Sequence, residues 1–246
     1  MENNEIRYRL DLLLRLLDTT TGQIVTERDV RIFRDGNVTR PISRGNGNYV
    51  FLNIDREDSS MEIRVFGYED AFIQVRYEEL DEHLPIKDVF LIPSENTARG
   101  EQLLSLTGQL SKLEAIEAVR LGRATCSVKK FDSRKCIMDL FRTNGPSMEE
   151  TSYGLLHTDD MTFEAFEVEK VISPVSLKLK KPLQEEFREN APIARIVYGQ
   201  CGKDGSYLLR VRDDAASVKY LIRYVVNGTP KYQVVDFHNP EEMQLR

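Results

Sequence analysis

Hydrophobic and polar positions alternate from the first residues of the chain. Ile6, Tyr8, Leu10, Leu12, Leu14 and Leu16 fall on one side of a period-two pattern, and Arg7, Arg9, Asp11 and Arg15 on the other. Such alternation predicts a long, half-buried strand. Asp18-Thr19-Thr20-Thr21-Gly22 reads as a turn. A short strand around Val30 and Ile32 ends at Asp35-Gly36, a hairpin signal. Gly45-Asn46-Gly47 is a further turn, and strands are expected at residues 48–54, 61–66, 72–77 and 88–92. Short strands at regular spacing predict an all-β sandwich over residues 1–95. Tyr49, Phe51, Phe66 and Phe72 are assigned to its core, because aromatics in strands are mostly buried.

The pattern changes after residue 93. Residues 94–102 are polar and read as a linker. Ser111 and Glu114 stand at capping-box spacing, Leu113, Ile116 and Val119 follow as a stripe, and Gly122 suits a stop, so a short helix is expected. Residues 124–131 and 135–141 predict a hairpin across Asp132-Ser133-Arg134. Further strands are expected at 161–171 and 175–180, then one helical turn opened by Pro182. Residues 193–200 and 206–212 flank Gly202-Lys203-Asp204-Gly205, and 218–226 and 232–237 flank Asn227-Gly228. These tandem hairpins predict a closing meander. Asn239-Pro240-Glu241-Glu242 is expected to start a short terminal helix. The expected architecture is mainly β: a sandwich at 1–95, a linker and short helix at 96–123, and a β-rich domain at 124–246, with one or two short helices in all.

Composition adds a boundary and removes some classes. The 246 residues are 41% hydrophobic and 30% charged, enough apolar matter for two cores. Residues 1–95 hold 12 basic and 19 acidic side chains, a balance of −7, whereas 96–246 hold 22 and 21, a balance of +1; together these give the net −6. An acidic chain is a poor general binder of nucleic acid. No apolar stretch approaches the roughly 20 residues of a membrane helix, and the acidic N-terminus lacks the pattern of a secretory signal. Membrane insertion and export are therefore not expected. Cys126, Cys136 and Cys201 are sparse and odd in number, which suits reduced thiols in a cytosolic setting.

The residues that could carry chemistry are few. His83, His157 and His238 have no partners at metal-ligand spacing, so neither metal nor cofactor is expected. Cys201, in Gly199-Gln200-Cys201-Gly202, with His238 as a base, is the one nucleophile worth considering; a thiol needs a neighbour that lowers its pKa. Asp159-Asp160 and Asp213-Asp214 occupy turns, where Asp serves the backbone. No residue is expected to be catalytic. Two charged runs are candidate interaction sites: Glu78, Glu79, Asp81 and Glu82 in an acidic loop, and Lys178, Lys180 and Lys181 in a basic run. The lysines also fit a protected strand edge.

Several of these segments carry a resemblance. Asp18-Thr-Thr-Thr-Gly22, the strand to Asp35-Gly36, Gly47-Asn-Tyr49-Val-Phe51, Gly67-Tyr68 and Val89-Phe-Leu-Ile92-Pro93 together resemble the carboxypeptidase-regulatory-like (transthyretin-like) family. The resemblance covers about a third of the chain and implies a β-sandwich used as a spacer or docking domain. Some cap and terminator proteins of contractile injection systems and phage tails carry such a module. It implies a structural subunit of a phage-tail-like particle, assembled in the cytoplasm, with other particle proteins as partners and a homo-oligomeric ring as its state. The alternative is a ligand-binding accessory module for carbohydrate or peptide, which would display exposed aromatic platforms.

Overall fold

The computed structural model describes residues 8–26, 29–43, 46–94, 102–141, 148–149, 151–184, 186–213, 218–239 and 244–245. The protein is mainly β and divides into two compact units, Met1–Gly100 and Glu101–Arg246.

The first unit holds β1 (Leu10–Asp18), β2 (Val30–Arg34), β3 (Asn37–Thr39), β4 (Ile42–Ser43), β5 (Asn48–Leu52), β6 (Ser59–Val65), β7 (Ala71–Val75) and β8 (Ile86–Leu91). They form two four-stranded sheets, β4-β5-β1-β8 and β3-β2-β6-β7. β1 pairs antiparallel with β5 and parallel with β8. The alternation that predicts β1 has its physical counterpart: Leu12, Leu14 and Leu16 are fully buried and meet Ile32, Met61, Ile63 and Val65 of the other sheet in one core. Asp35-Gly36 makes the β2–β3 turn, both residues at positive φ. Tyr49 and Phe51 lie in the core, as expected. Phe66 and Phe72 do not: they are 65% and 73% exposed. The reason is parity. Met61, Ile63 and Val65 face inward, so Phe66 continues the outward series; Ala71 and Val75 are buried, so Phe72 points out.

The second unit holds β9 (Leu103–Gln109), β10 (Leu113–Arg120), β11 (Cys126–Asp132), β12 (Ile137–Phe141), β13 (Ser152–His157), β14 (Thr162–Ser173), β15 (Ser176–Leu179), β16 (Pro192–Tyr198), β17 (Gln200–Cys201), β18 (Ser206–Arg212), β19 (Lys219–Val226) and β20 (Thr229–Asp236). Six strands, in the order β11-β12-β15-β14-β13-β16, close into a barrel because β16 also pairs with β11 through Cys126–Ile193 and Ser127–Pro192. Tyr153, Leu155, Phe166, Val168, Leu177, Leu179 and Ile193 fill it. The sheet runs on from β16 through β10 and β19 to β20, and a second small sheet, β17-β18-β9, packs on that extension around Ile116, Leu209, Tyr220 and Ile222. Gly199 makes the corner between β16 and β17. A Cβ there would lie 2.5 Å from Ile116 Cγ2 and 2.8 Å from the Leu208 carbonyl oxygen.

Several expectations are corrected here. The helix expected after Ser111 is the strand β10. Its apolar spacing arises because β10 lies between two cores, Ile116 and Ala118 facing one and Val119 the other, with a register shift between Leu113 and Ala115. The supposed linker and helix at 96–123 contains β9 as well. The one helical element among the described residues is a 3-10 turn, Tyr77–Glu79, so the one or two short helices are not found. Around Pro182 the described residues form no helical turn, and the expected terminal helix falls on residues 240–242, outside the described ones. The closing hairpins are present, but β17–β18 and β19–β20 belong to different sheets, so they are not a meander. β15 is bonded on both sides, to β12 and β14, and is no strand edge.

Candidate interaction surfaces

The acidic loop is built on the 3-10 turn that follows β7. Glu79 is met by Arg76 Nη1 at 3.3 Å and by Lys87 Nζ at 3.6 Å. Asp81 Oδ1 accepts the backbone N–H groups of Leu84 and His83, both at 2.8 Å, and these bonds hold its carboxyl below the ordinary aspartate value. Glu78 and Glu82 are exposed. Two of the four carboxylates thus shape the loop itself.

The basic run is answered from the neighbouring strand. Lys178 Nζ lies 2.7 Å from Glu169 Oε1, and Lys180 pairs with Glu167. Lys181 is exposed at the end of the run. Alternation along β15 puts Leu177 and Leu179 in the barrel and the lysines outside, opposite glutamates of β14. Exposed pairs of this kind contribute little stability and leave little net charge for a partner.

The Cys201–His238 pair does not assemble. Cys201 stands opposite Tyr207 at the start of β18, whereas His238 Nε2 is 3.0 Å from Asp213 Oδ1, just past the end of β18. Six residues of strand separate the two, about 20 Å at strand rise. Burial also pushes the Cys201 thiol up to about 11, away from the thiolate. Asp159 is held by Arg188, with contacts at 2.9 and 2.6 Å. Among the described residues no group of three or more His, Cys, Asp or Glu is placed to hold a metal ion. Among the described residues no helix is long and apolar enough to cross a membrane.

One surface goes unmarked in the sequence reading. The outer face of sheet β3-β2-β6-β7 carries a row across all four strands, Val38, Phe33, Glu62 and Phe72, set by the pairings Phe33–Val38, Phe33–Glu62 and Glu62–Phe72. The Arg64 guanidinium lies over the Phe33 ring at 4.9 Å. Arg64 also pairs with Glu62, and with Asp70 at 3.5 Å. The hydrogen bond to Glu62 raises the Arg64 pKa, so this arginine is held by its own sheet. Glu62 and Asp70 thus share Arg64 as an internal partner, while Val38, Phe66 and Phe72 remain 65–73% exposed. Clustered apolar side chains among paired charges are the composition of a docking surface. The signal was available: inward Met61, Ile63 and Val65 already put Phe66 on the opposite parity.

Comparisons with known proteins add no identity. No family model matches the chain, and no curated protein matches it. A solved structure of Drosophila OTK, extracellular domains 3-5, aligns over 93% of this chain and 96% of that one, at 10% identity and a TM-score of 0.13. A score that low carries no argument about fold or function. The class defined by the coordinates is therefore a two-unit, mainly β chain with a closed six-stranded barrel in its second unit.

Proposed function

We propose that this chain is a non-catalytic structural subunit that works by docking to other proteins through the outer face of sheet β3-β2-β6-β7. The observation that carries the reading is the exposure of Phe66, Phe72 and Val38 on a face where Glu62 and Asp70 already share Arg64. Burying these side chains against a partner gains hydrophobic free energy without stranding a charge. The Cys201–His238 separation supports the non-catalytic part. The narrower form of the proposal is a subunit of a phage-tail-like particle, with a carboxypeptidase-regulatory-like first unit. It draws support from three of the segments that carry the resemblance, which fold into one corner: Tyr68 bridges to Pro93 and bonds to Asp18, and Thr19 N–H donates to the Leu91 carbonyl. The test is incorporation. Tagged chain is expressed in its source cells and high-mass particles are isolated and imaged. The wild type is expected in the particle and the Phe66→Ser, Phe72→Ser double variant is expected in the soluble fraction. A wild-type chain that enters no particle would sink the narrower form.

Exposed phenyl rings also favour the second reading, a binding module for carbohydrate or peptide, because sugar rings and peptide side chains pack on such faces. Calorimetric titration with glycan and peptide panels separates the two readings: saturable binding lost in the Phe72→Ser variant would favour the module.

A further inference from the structure

We infer that the open edge of β9 is a self-association site, at which a second copy of this chain adds its own β9 antiparallel. The inference goes beyond the docking reading: it adds a second surface with one named occupant, and it uses none of the residues of the first unit's outer face. Among the described residues β9 is bonded on one side only, to β18, at the end of the sheet β17-β18-β9. The bonds at the two ends of that ladder fix which groups face outward. Asp213 N–H donates to the Gln102 carbonyl and Leu110 N–H to the Gly205 carbonyl. In an antiparallel pair the bonded residues alternate, so Leu104, Leu106 and Gly108 bond β18. The N–H and C=O groups of Leu103, Ser105, Thr107 and Gln109 then point to the open edge.

The composition of this edge favours its own copy. Leu103-Leu-Ser-Leu-Thr-Gly-Gln109 holds no charge and no proline. Two of the other edges are blunted in the usual ways, β20 by Pro230 and Lys231 and β8 by Lys87 and Asp88, and the uncharged edge β7 is shorter, at five residues against the seven of β9. Thr107, Gly108 and Gln109 are exposed. A two-fold pairing centred on Leu106 sets Ser105 opposite Thr107 of the second copy, and Leu103 opposite Gln109 of the second copy. Odd residues then meet odd residues, so every outward group finds a partner, about eight hydrogen bonds in all. A charged strand paired with itself brings like charges close; this one has none to oppose. The pairing consumes the edge in both copies, so it closes at a dimer. At the far side of the small sheet β17 is two residues long and offers little to extend.

The test uses the full-length chain, with light scattering after size exclusion and residue-resolved amide exchange. The wild type is expected at twice the monomer mass, with slow exchange at Ser105 and Thr107. Thr107→Pro removes an amide that faces the open edge and leaves the β18 ladder its donors; Thr107→Lys keeps every amide but puts like charges near the dimer axis. Each is expected to weaken the dimer roughly tenfold or more and to free the Ser105 amide. Thr107→Lys guards against Thr107→Pro simply failing to fold. A monomeric wild type at high micromolar concentration would overturn the inference. So would a dimer that survives both variants, or one lost only in Phe66→Ser, Phe72→Ser, which would place self-association on the first unit's face and leave the docking reading standing. Protection of Ser105 and Thr107 that comes only with an added foreign protein would overturn the second copy as occupant.

Discussion

The Tyr68 hydroxyl donates to Asp18 Oδ2 at 3.0 Å, across 50 residues of chain. The other carboxylate oxygen, Oδ1, accepts from Thr20 N–H, Thr20 Oγ1 and Thr21 N–H, and so builds the turn that leads out of β1. Asp18 is 6% exposed. A buried carboxylate has to be satisfied by donors, and here one side chain joins the end of β1 to the turn after β6. Tyr68→Phe deletes one charge-assisted bond and keeps the ring. It is expected to cost about 1–2 kcal/mol. Asp18→Ala, which orphans the turn amides as well, is expected to cost more. Denaturant unfolding followed by amide exchange in the first unit checks both, and equal losses from the two variants would contradict the arrangement.

Asp11 makes acid the sensitive side of the first unit. Its side chain is fully covered, and burial alone would raise its pKa. Hydrogen bonds from Arg56, Arg9 and the Ile54 N–H outweigh that and hold the carboxyl below its ordinary value. A depressed folded-state pKa means that the stabilisation is fully present above the ordinary carboxylate range. It is lost as pH falls through that range toward the folded value, because the unfolded chain takes the proton first. Asp11→Asn is expected to lower stability at pH 7 and to flatten the loss between about pH 5 and pH 3. Urea midpoints across that range measure it; parallel curves for wild type and variant would refute the linkage.

Local signals were legible and long-range closure was not. β1 could be read from Leu12, Leu14 and Leu16 because Asp11 and Arg15 interrupt the apolar run on the opposite side, where Arg56 bonds Asp11 and Asp88 bonds Arg15. Asp35-Gly36 and Asn227-Gly228 marked true hairpins because positive φ at both turn residues selects those types. β10 could not be read, since a strand between two cores loses its alternation and Leu113, Ile116 and Val119 then imitate a helix. The barrel was invisible because its closing contacts, Cys126–Ile193 and Ser127–Pro192, join segments more than 60 residues apart and leave no local pattern. The exposure of Phe66 and Phe72 was missed for a different reason. Phe66 and Phe72 were placed by residue type when parity pointed the other way. β9 fell inside the span 96–123 assigned to a linker and a short helix, and its partner β18 lies about 100 residues further along the chain.

Gly154 tests the packing beside the barrel wall. It sits in β13 opposite Ala165 and Ala194. A Cβ there would come within 2.6 Å of Val119 Cγ1 and 3.0 Å of Phe163 Cδ2. Gly154→Ala is expected to cost about 1–3 kcal/mol through overpacking. Gly154→Ala combined with Val119→Ala, which removes the nearer obstacle, is expected to lose less than the sum of the two singles. Additive losses would show that the clash is not the cause.

Cys126 and Cys201 should be quiet in the folded protein. Burial pushes Cys126 up to about 12 and Cys201 up to about 11. At pH 8 little of either is thiolate, and the thiolate is the reactive form. Iodoacetamide at pH 8 is expected to leave Cys126 and Cys201 unmodified for as long as the chain stays folded, and to label both in urea. Rapid native labelling of Cys201, read by peptide mass, would restore it as a candidate nucleophile.

Phe51 and Phe72 put the docking reading to its sharpest test, because the same residue type in one unit is assigned opposite work. Phe51 is 5% exposed in the sandwich core and Phe72 is 73% exposed on its outer face. Phe51→Ala opens a cavity and is expected to cost about 3–5 kcal/mol. Phe72→Ala removes a ring that packs mainly against water, and its effect on stability is expected within about 0.5 kcal/mol. If the outer face docks a partner, Phe72 is an interface anchor. Its loss should then weaken that complex by about 2 kcal/mol, roughly thirtyfold, with folding unchanged. Unfolding by amide exchange in β5 and β7 and affinity for the docked partner give the two readouts. A Phe72→Ala chain that unfolds early would mean the ring is a structural member of the first unit, and a chain of normal stability and normal affinity would mean that this face is not where the partner binds.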